Sequence, residues 1–269
     1  MVKSFSKYKL IFVPLILVFI LSSCSDFQKA LKSKDYSLKL VKAKEYYEKE
    51  DYYRSESLLN DIIPVYRGTE QAKDIMFMYA YCHYYMGDYI IAVHYFKNFS
   101  RTWATDPRAE EADFMVAQCL YNESPRSNLD QSSTAKAIEA YQYFMNMYPT
   151  SELFEEALLR QGQLKKRLEQ KAYANAKLYY QLRLNKAAVI SLKNALKDYP
   201  DTEYREDIMF LILKSSYLLA KNSKDDLKIE RYQDTINEYY AYIDEFASSA
   251  NSKEAEQIYA FCVKEIKKQ

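Results

Sequence analysis

Two histidines and four cysteines are the chain's candidates for nucleophilic or metal-binding chemistry. His83 and His94 have no cysteine or second histidine at metal-ligand spacing. No base can be placed beside an oriented nucleophile. Carboxylates come in pairs, as at Glu110-Glu111 and Glu155-Glu156, but these pairs fall at expected helix starts. There the helix dipole favours negative charge in solvent, which accounts for them without catalysis. Cys82 and Cys119 occupy apolar helical patterns, where a free thiol packs as a small hydrophobe; Cys262 is too isolated to assign. No catalytic set, metal site or cofactor is expected, and the chain is read as non-enzymatic. What remains is the chemistry of contact. The chain carries 28 tyrosines, each offering a broad surface with a hydrogen-bonding tip at little entropic cost.

Cys24 stands apart from the other thiols. Lys3, Lys7 and Lys9 precede an apolar run from Leu10 to Leu21, and Ser22-Ser23 lead into the cysteine. A basic start, a short apolar centre and small residues at the exit describe a secretory signal. The run is too short for a membrane-spanning helix, which takes about 20 residues. Its ending, Leu21-Ser22-Ser23-Cys24, resembles the lipobox of bacterial lipoproteins. That resemblance implies cleavage before Cys24 and covalent lipid on its sulfur and new amino terminus. Several acyl chains together hold a protein firmly at a bilayer, whereas one alone is marginal.

Composition narrows the rest. Lys plus Arg number 38 against 37 Asp plus Glu, and removing the three signal lysines leaves 35 against 37. A near-neutral mature chain lacks the basic footprint of a nucleic-acid binder. Three glycines in 269 residues are too few for hairpin-rich sheets or phosphate-cradling loops, which need positive φ. Helix throughout is the expectation.

A repeat orders those helices. Ala43, Tyr47, Asp51-Tyr52, Ser55, Leu59 and Ile62 recur 37 positions later as Ala80, Tyr84, Asp88-Tyr89, Ala92, Phe96 and Phe99. Ala117 and Tyr121 continue the series. After a polar insertion near 122–133 it resumes with Ala137, Tyr141, Phe144 and Tyr148-Pro149. A further copy reads Ala176, Tyr180, Ala188, Leu192, Ala195 and Tyr199-Pro200, and a degraded one Thr235, Tyr239, Tyr242 and Phe246. Each copy is two amphipathic stretches around a turn such as Met86-Gly87-Asp88. Alanine lets the neighbouring helix approach and an aromatic four residues on fills the groove beside it. Proline closes the second helix, and Ser151 and Thr202 suit the N-caps of the next. In this register His83 occupies the place of Tyr46 and Tyr179 and is expected to pack as a polar-tipped ring, while His94 is expected half exposed.

These features resemble the tetratricopeptide repeat, whose period is about 34 residues. The resemblance implies an all-α, right-handed solenoid of about five repeats with a C-terminal capping helix, as solenoids require a covered end. Alanine replaces the family's usual first-helix glycine, and the first two repeats lack the closing proline. In such arrays the first helix of each repeat lines a concave peptide-binding groove. Carried onto this chain, that face holds Lys44 and Tyr47, then Tyr81, Tyr84 and Tyr85, then Gln118, Tyr121 and Asn122.

Anchor, length and repeats together resemble the BamD family of outer-membrane assembly lipoproteins. Cys24-Ser25-Asp26-Phe27-Gln28-Lys29-Ala30-Leu31, the Ala137 to Ser151 segment and Leu196 to Thr202 carry the likeness. It implies residues 1–23 as cleaved signal peptide, 24–34 as lipidated tether, 35–250 as repeat array and 251–269 as capping helix and tail. The family implies a non-enzymatic scaffold at the periplasmic face of the outer membrane, within the β-barrel assembly (BAM) complex. Its partners would be a BamA-like barrel subunit, docked near Tyr204 to Lys268, unfolded β-barrel proteins, and the membrane through lipid. Ser25 rather than aspartate after the cysteine suits outer-membrane sorting. The competing reading is another cell-envelope tetratricopeptide lipoprotein, acting as an adaptor in envelope coordination, secretion or nutrient uptake.

Overall fold

A computed structural model describes residues 26–268; the signal segment and Cys24 lie outside them. The described chain is all-α, as the glycine-poor, alternating small and large pattern predicts. Residues 26–32 form a short helix, α1. The remaining helices are α2 (Tyr36–Glu48), α3 (Tyr52–Tyr66), α4 (Gln71–Met86), α5 (Tyr89–Thr102), α6 (Arg108–Glu123) and α7 (Ser132–Met147). They continue with α8 (Phe154–Gln181), α9 (Asn185–Asp198), α10 (Arg205–Lys221), α11 (Asp225–Phe246) and α12 (Ser252–Ile266). Successive helices pack against one another from α2 through α7 and again from α9 through α12, and α10 also touches α12. No helix among the described residues is long and apolar enough to cross a membrane.

One turn design closes three of the hairpins. Glu50, Gly87 and Arg183 all adopt positive φ, at 60°, 83° and 60°. In each turn that residue's amide donates to the carbonyl three back, at Tyr47, Tyr84 and Tyr180. The next residue, Asp51, Asp88 or Leu184, donates to the carbonyl five back and accepts the first amide of the following helix turn, from Ser55, Ala92 or Ala188. This is a left-handed stop for one helix and a start for the next. Asp51 adds a side-chain bond to the Arg54 amide. The closing prolines act as expected, α7 ending before Pro149 and α9 before Pro200. Ser151 and Thr202 act earlier than an N-cap would. Their hydroxyls accept from Leu153 and Tyr204, two residues on, and organise the turn ahead of α8 and α10.

The chain divides into two compact units: residues through Pro125 with Ser132–Gln161, and Arg126–Gln131 with the chain from Gly162 onward. In the first, Ala43, Ala80, Ala117 and Ala137 are fully buried beside Leu59, Phe96, Tyr141 and Phe144. Ser55, in the place of Ala92, is also buried because its hydroxyl donates to the Ala43 carbonyl at 2.9 Å. In the second, Ala176, Ala188 and Leu192 pack with Ile208 and Ile212, and Tyr242, Ala255, Ile258 and Cys262 form a neighbouring core. Cys82, Cys119 and Cys262 are all free and buried. Burial pushes each thiol up to about 12.

α1 is part of the first core. Phe27 and Ala30 are buried, Phe27 meeting Tyr46 edge-on at 5.8 Å. The Arg54 guanidinium lies 5.7 Å from both rings. Lys39, itself buried, donates to the Leu31 carbonyl at 2.9 Å and pairs with Asp61. Its charge thus caps the C-terminal end of α1, where the helix dipole favours a cation.

Candidate functional site

The first helices of three successive hairpins face one groove in the first unit. α2 supplies Lys44 and Tyr47; α4 supplies Asp74, Phe77, Met78, Tyr81 and Tyr85; α6 supplies Arg108 and Glu111. The groove encloses about 520 Å³. Its centre is Tyr81, whose phenol donates to Glu111 and whose ring lies 5.8 Å from Tyr85. Tyr85 also stacks on Tyr52 at 4.5 Å and remains half exposed. Arg108 fixes the far wall. It bonds Asp74 at 2.9 Å and grips Asp106 through two nitrogens at 2.9 and 3.0 Å. It also lies over Phe77 at 5.2 Å.

These contacts set the groove's chemistry. Burial, then the bond to Glu111, pushes the Tyr81 phenol far above its ordinary range; burial raises Tyr47 and Tyr85 as well. All three stay protonated; the Tyr81 hydrogen is held by Glu111, which leaves Tyr47 and Tyr85 as the donors. Hydrogen bonds from the Arg108 side chain and amide hold the Asp106 carboxyl down at about 2. The wall therefore carries fixed charges and phenol donors around an aromatic floor. Such a surface can hold an extended peptide by ring contacts and backbone hydrogen bonds.

A second depression of about 660 Å³ adjoins it, again using Tyr81 and Glu111, with Glu110, Phe114, Met115 and the 150–153 turn. Asp74, Phe77, Met78 and Tyr81 are followed 37 positions later by Glu111, Phe114, Met115 and Gln118. Three of those successors line the second depression, so the groove repeats itself along the array.

Of the residues read from sequence, Lys44, Tyr47, Tyr81 and Tyr85 meet at the first groove. Tyr84 packs behind them, edge-on to Tyr85 at 5.4 Å and Tyr89 at 5.7 Å. Gln118, Tyr121 and Asn122 gather elsewhere. Gln118 accepts from Tyr141 at 3.0 Å and donates to Asn122 at 3.3 Å, while the Arg160 guanidinium lies 5.1 Å over Tyr121. Sequence reasoning missed Asp74, Phe77, Met78, Arg108 and Glu111. Carrying the 37-residue register six residues back from Ala80 and Ala117, nearly two helical turns, would have found Asp74 and Glu111 as a matched pair.

His83 serves packing, whereas His94 lies at the surface. His83 is buried against Tyr79 at 4.7 Å with Nδ1 3.4 Å from Asp88. His94 is exposed and meets Asn98 at 3.2 Å. Among the described residues no cluster of three His, Cys, Asp or Glu side chains could hold a metal. In the second unit, ion pairs Lys193–Glu238 and Arg205–Glu245 frame a depression of about 290 Å³.

Comparison with known proteins adds three findings. A family model described as outer membrane lipoprotein (YfiO) matches residues 34–231. The outer membrane protein assembly factor BamD of Caulobacter vibrioides is 22% identical over 156 residues, covering 58% of this chain and 51% of that protein. The match thus spans about half the length of that relative. Among solved structures, the TPR2AB domain of yeast Sti1 in its pHSP90 complex aligns with a TM-score of 0.40 and 12% identity, over 85% of this chain and 98% of that one.

Proposed function

The chain belongs to the YfiO family of outer membrane lipoproteins, and from that premise we propose that it is a lipid-anchored, non-enzymatic scaffold of the outer-membrane β-barrel assembly machinery. In this reading Cys24 carries the lipid, the domain works at the periplasmic face, and a BamA-like barrel subunit is its fixed partner. Unfolded β-barrel proteins are its passing clients. The single observation that carries the reading is the groove built from successive first helices, with Tyr47, Phe77, Tyr81 and Tyr85 presented beside the charges of Lys44, Arg108 and Glu111. Aromatic side chains of an extended client would stack there, while phenols and charges meet its backbone and polar groups. Similarity to an assembly factor supports the choice of client.

Purification of the chain from membranes in mild detergent tests the assembly role. A BamA-like barrel subunit should come with it, and its reproducible absence would sink the proposal. The groove is tested separately by combining Lys44→Glu with Tyr85→Ala, both at exposed positions. Binding of unfolded β-barrel segments should fall at least tenfold at unchanged melting temperature; unchanged binding removes the groove from the mechanism. Cys24→Ala should abolish palmitate incorporation and release the protein from membranes.

A further inference from the structure

We propose that the tip of the α8–α9 hairpin is a membrane contact in its own right, inserting into an anionic lipid surface whether or not Cys24 carries the lipid proposed above. The tip reads Leu182-Arg183-Leu184, with both leucines exposed, at 60% and 51%. Leu178 and Tyr179, in the last turn of α8, are exposed as well. Nothing about the fold asks for leucine here. The turn has the same backbone bonds as the Glu50-Asp51 and Gly87-Asp88 turns, and both of those place aspartate where Leu184 stands. Asp51 caps α3 and Asp88 meets His83, whereas Leu184 gives α9 no side-chain cap. Arg183 moreover holds φ of 60°, a conformation that favours glycine. A position that gives up a cap and exposes an apolar side chain breaks two local rules at once. Such departures are expected at functional or strained sites.

Charge selects the occupant. From Gln170 through Lys197 the chain has no acidic residue and carries Lys171, Lys177, Arg183, Lys186, Lys193 and Lys197. Lys177 and Lys193 are engaged with Asp207 and Glu238. Arg183 and Lys186, at the tip itself, have no ion pair among the described residues. Exposed leucines and tyrosine flanked by cations are what an interfacial segment offers to acyl chains and anionic headgroups. An acidic protein surface would meet the cations but leave the protruding leucines without an acyl layer to enter. The inference is independent of the groove.

The test uses the full chain with Trp103→Phe, which removes its one tryptophan, and Leu182→Trp as the probe. Vesicles of brominated phosphatidylcholine and phosphatidylglycerol should quench the probe several-fold more than an Ile90→Trp control. Quenching should weaken when phosphatidylglycerol is left out. Adding Leu184→Asp should abolish the quenching while raising the melting temperature, because the missing cap is restored. Equal quenching of probe and control overturns the proposal, as does quenching that survives Leu184→Asp. A probe shielded only when solubilised envelope proteins are added would also overturn it, in favour of a protein surface.

Discussion

Lys39 is a buried cation whose value lies in what it joins. Its ammonium bonds a carbonyl of α1 and a carboxylate of α3, and charge-assisted bonds of this kind are worth about 1.5–3 kcal/mol. Lys39→Ala should cost about 2 kcal/mol in urea unfolding and expose residues 26–34 to limited proteolysis. No sequence pattern announces it, because its partners lie 8 and 22 positions away and outside the repeat register. Cys82 and Cys119 were legible, since an apolar helical neighbourhood already says that the thiol packs, whereas Cys262 was too isolated in sequence to assign. With their thiols buried and pushed up to about 12, Cys82, Cys119 and Cys262 should resist alkylating reagent at pH about 8 and react only on unfolding. Asp106 sets a pH dependence. Its folded value of about 2 lies below the ordinary 3.8, so its contribution is present above the unfolded value and is lost as pH falls through the folded one. The stability difference between the native chain and Asp106→Asn should be level above about pH 5 and shrink steadily toward about pH 2.

At the scale of the helical hairpin, the three matched turns explain why so few glycines suffice. Gly87 has no neighbour within 4 Å of an added Cβ, so Gly87→Ala is opposed by backbone strain alone. It should cost about 1 kcal/mol, measurable as a shift in urea midpoint. Glu50 and Arg183 already bear that strain, and so the turn recurs without a recurring residue to reveal it. The helices were readable because alanine and aromatic positions alternate at helical spacing. The walls of the groove were less so. Phe77 and Met78 look like ordinary core residues, and Arg108 has a different residue at its place in every other hairpin; only the assembled faces of α2, α4 and α6 show that they share a surface. Gln118, Tyr121 and Asn122 occupy equivalent register positions, yet Tyr141 and Arg160 draw Gln118 and Tyr121 into a separate cluster.

Within each compact unit of the molecule, packing between neighbouring helices means that damage should stay local, as in repeat arrays. Leu192 is fully buried among α8, α9 and α10 residues. Leu192→Ala should cost about 3 kcal/mol and speed amide hydrogen exchange in those helices before α12 responds. The docking of Phe27 and Ala30 has a reach of its own. From Cys24 to the seated ring of Phe27 is three residues, about 11 Å at full stretch. A lipid at that cysteine would moor the first hairpin on a very short line. The scaffold could pivot but not drift, and its partners would find it by searching a thin sheet of fluid beside the bilayer instead of a volume.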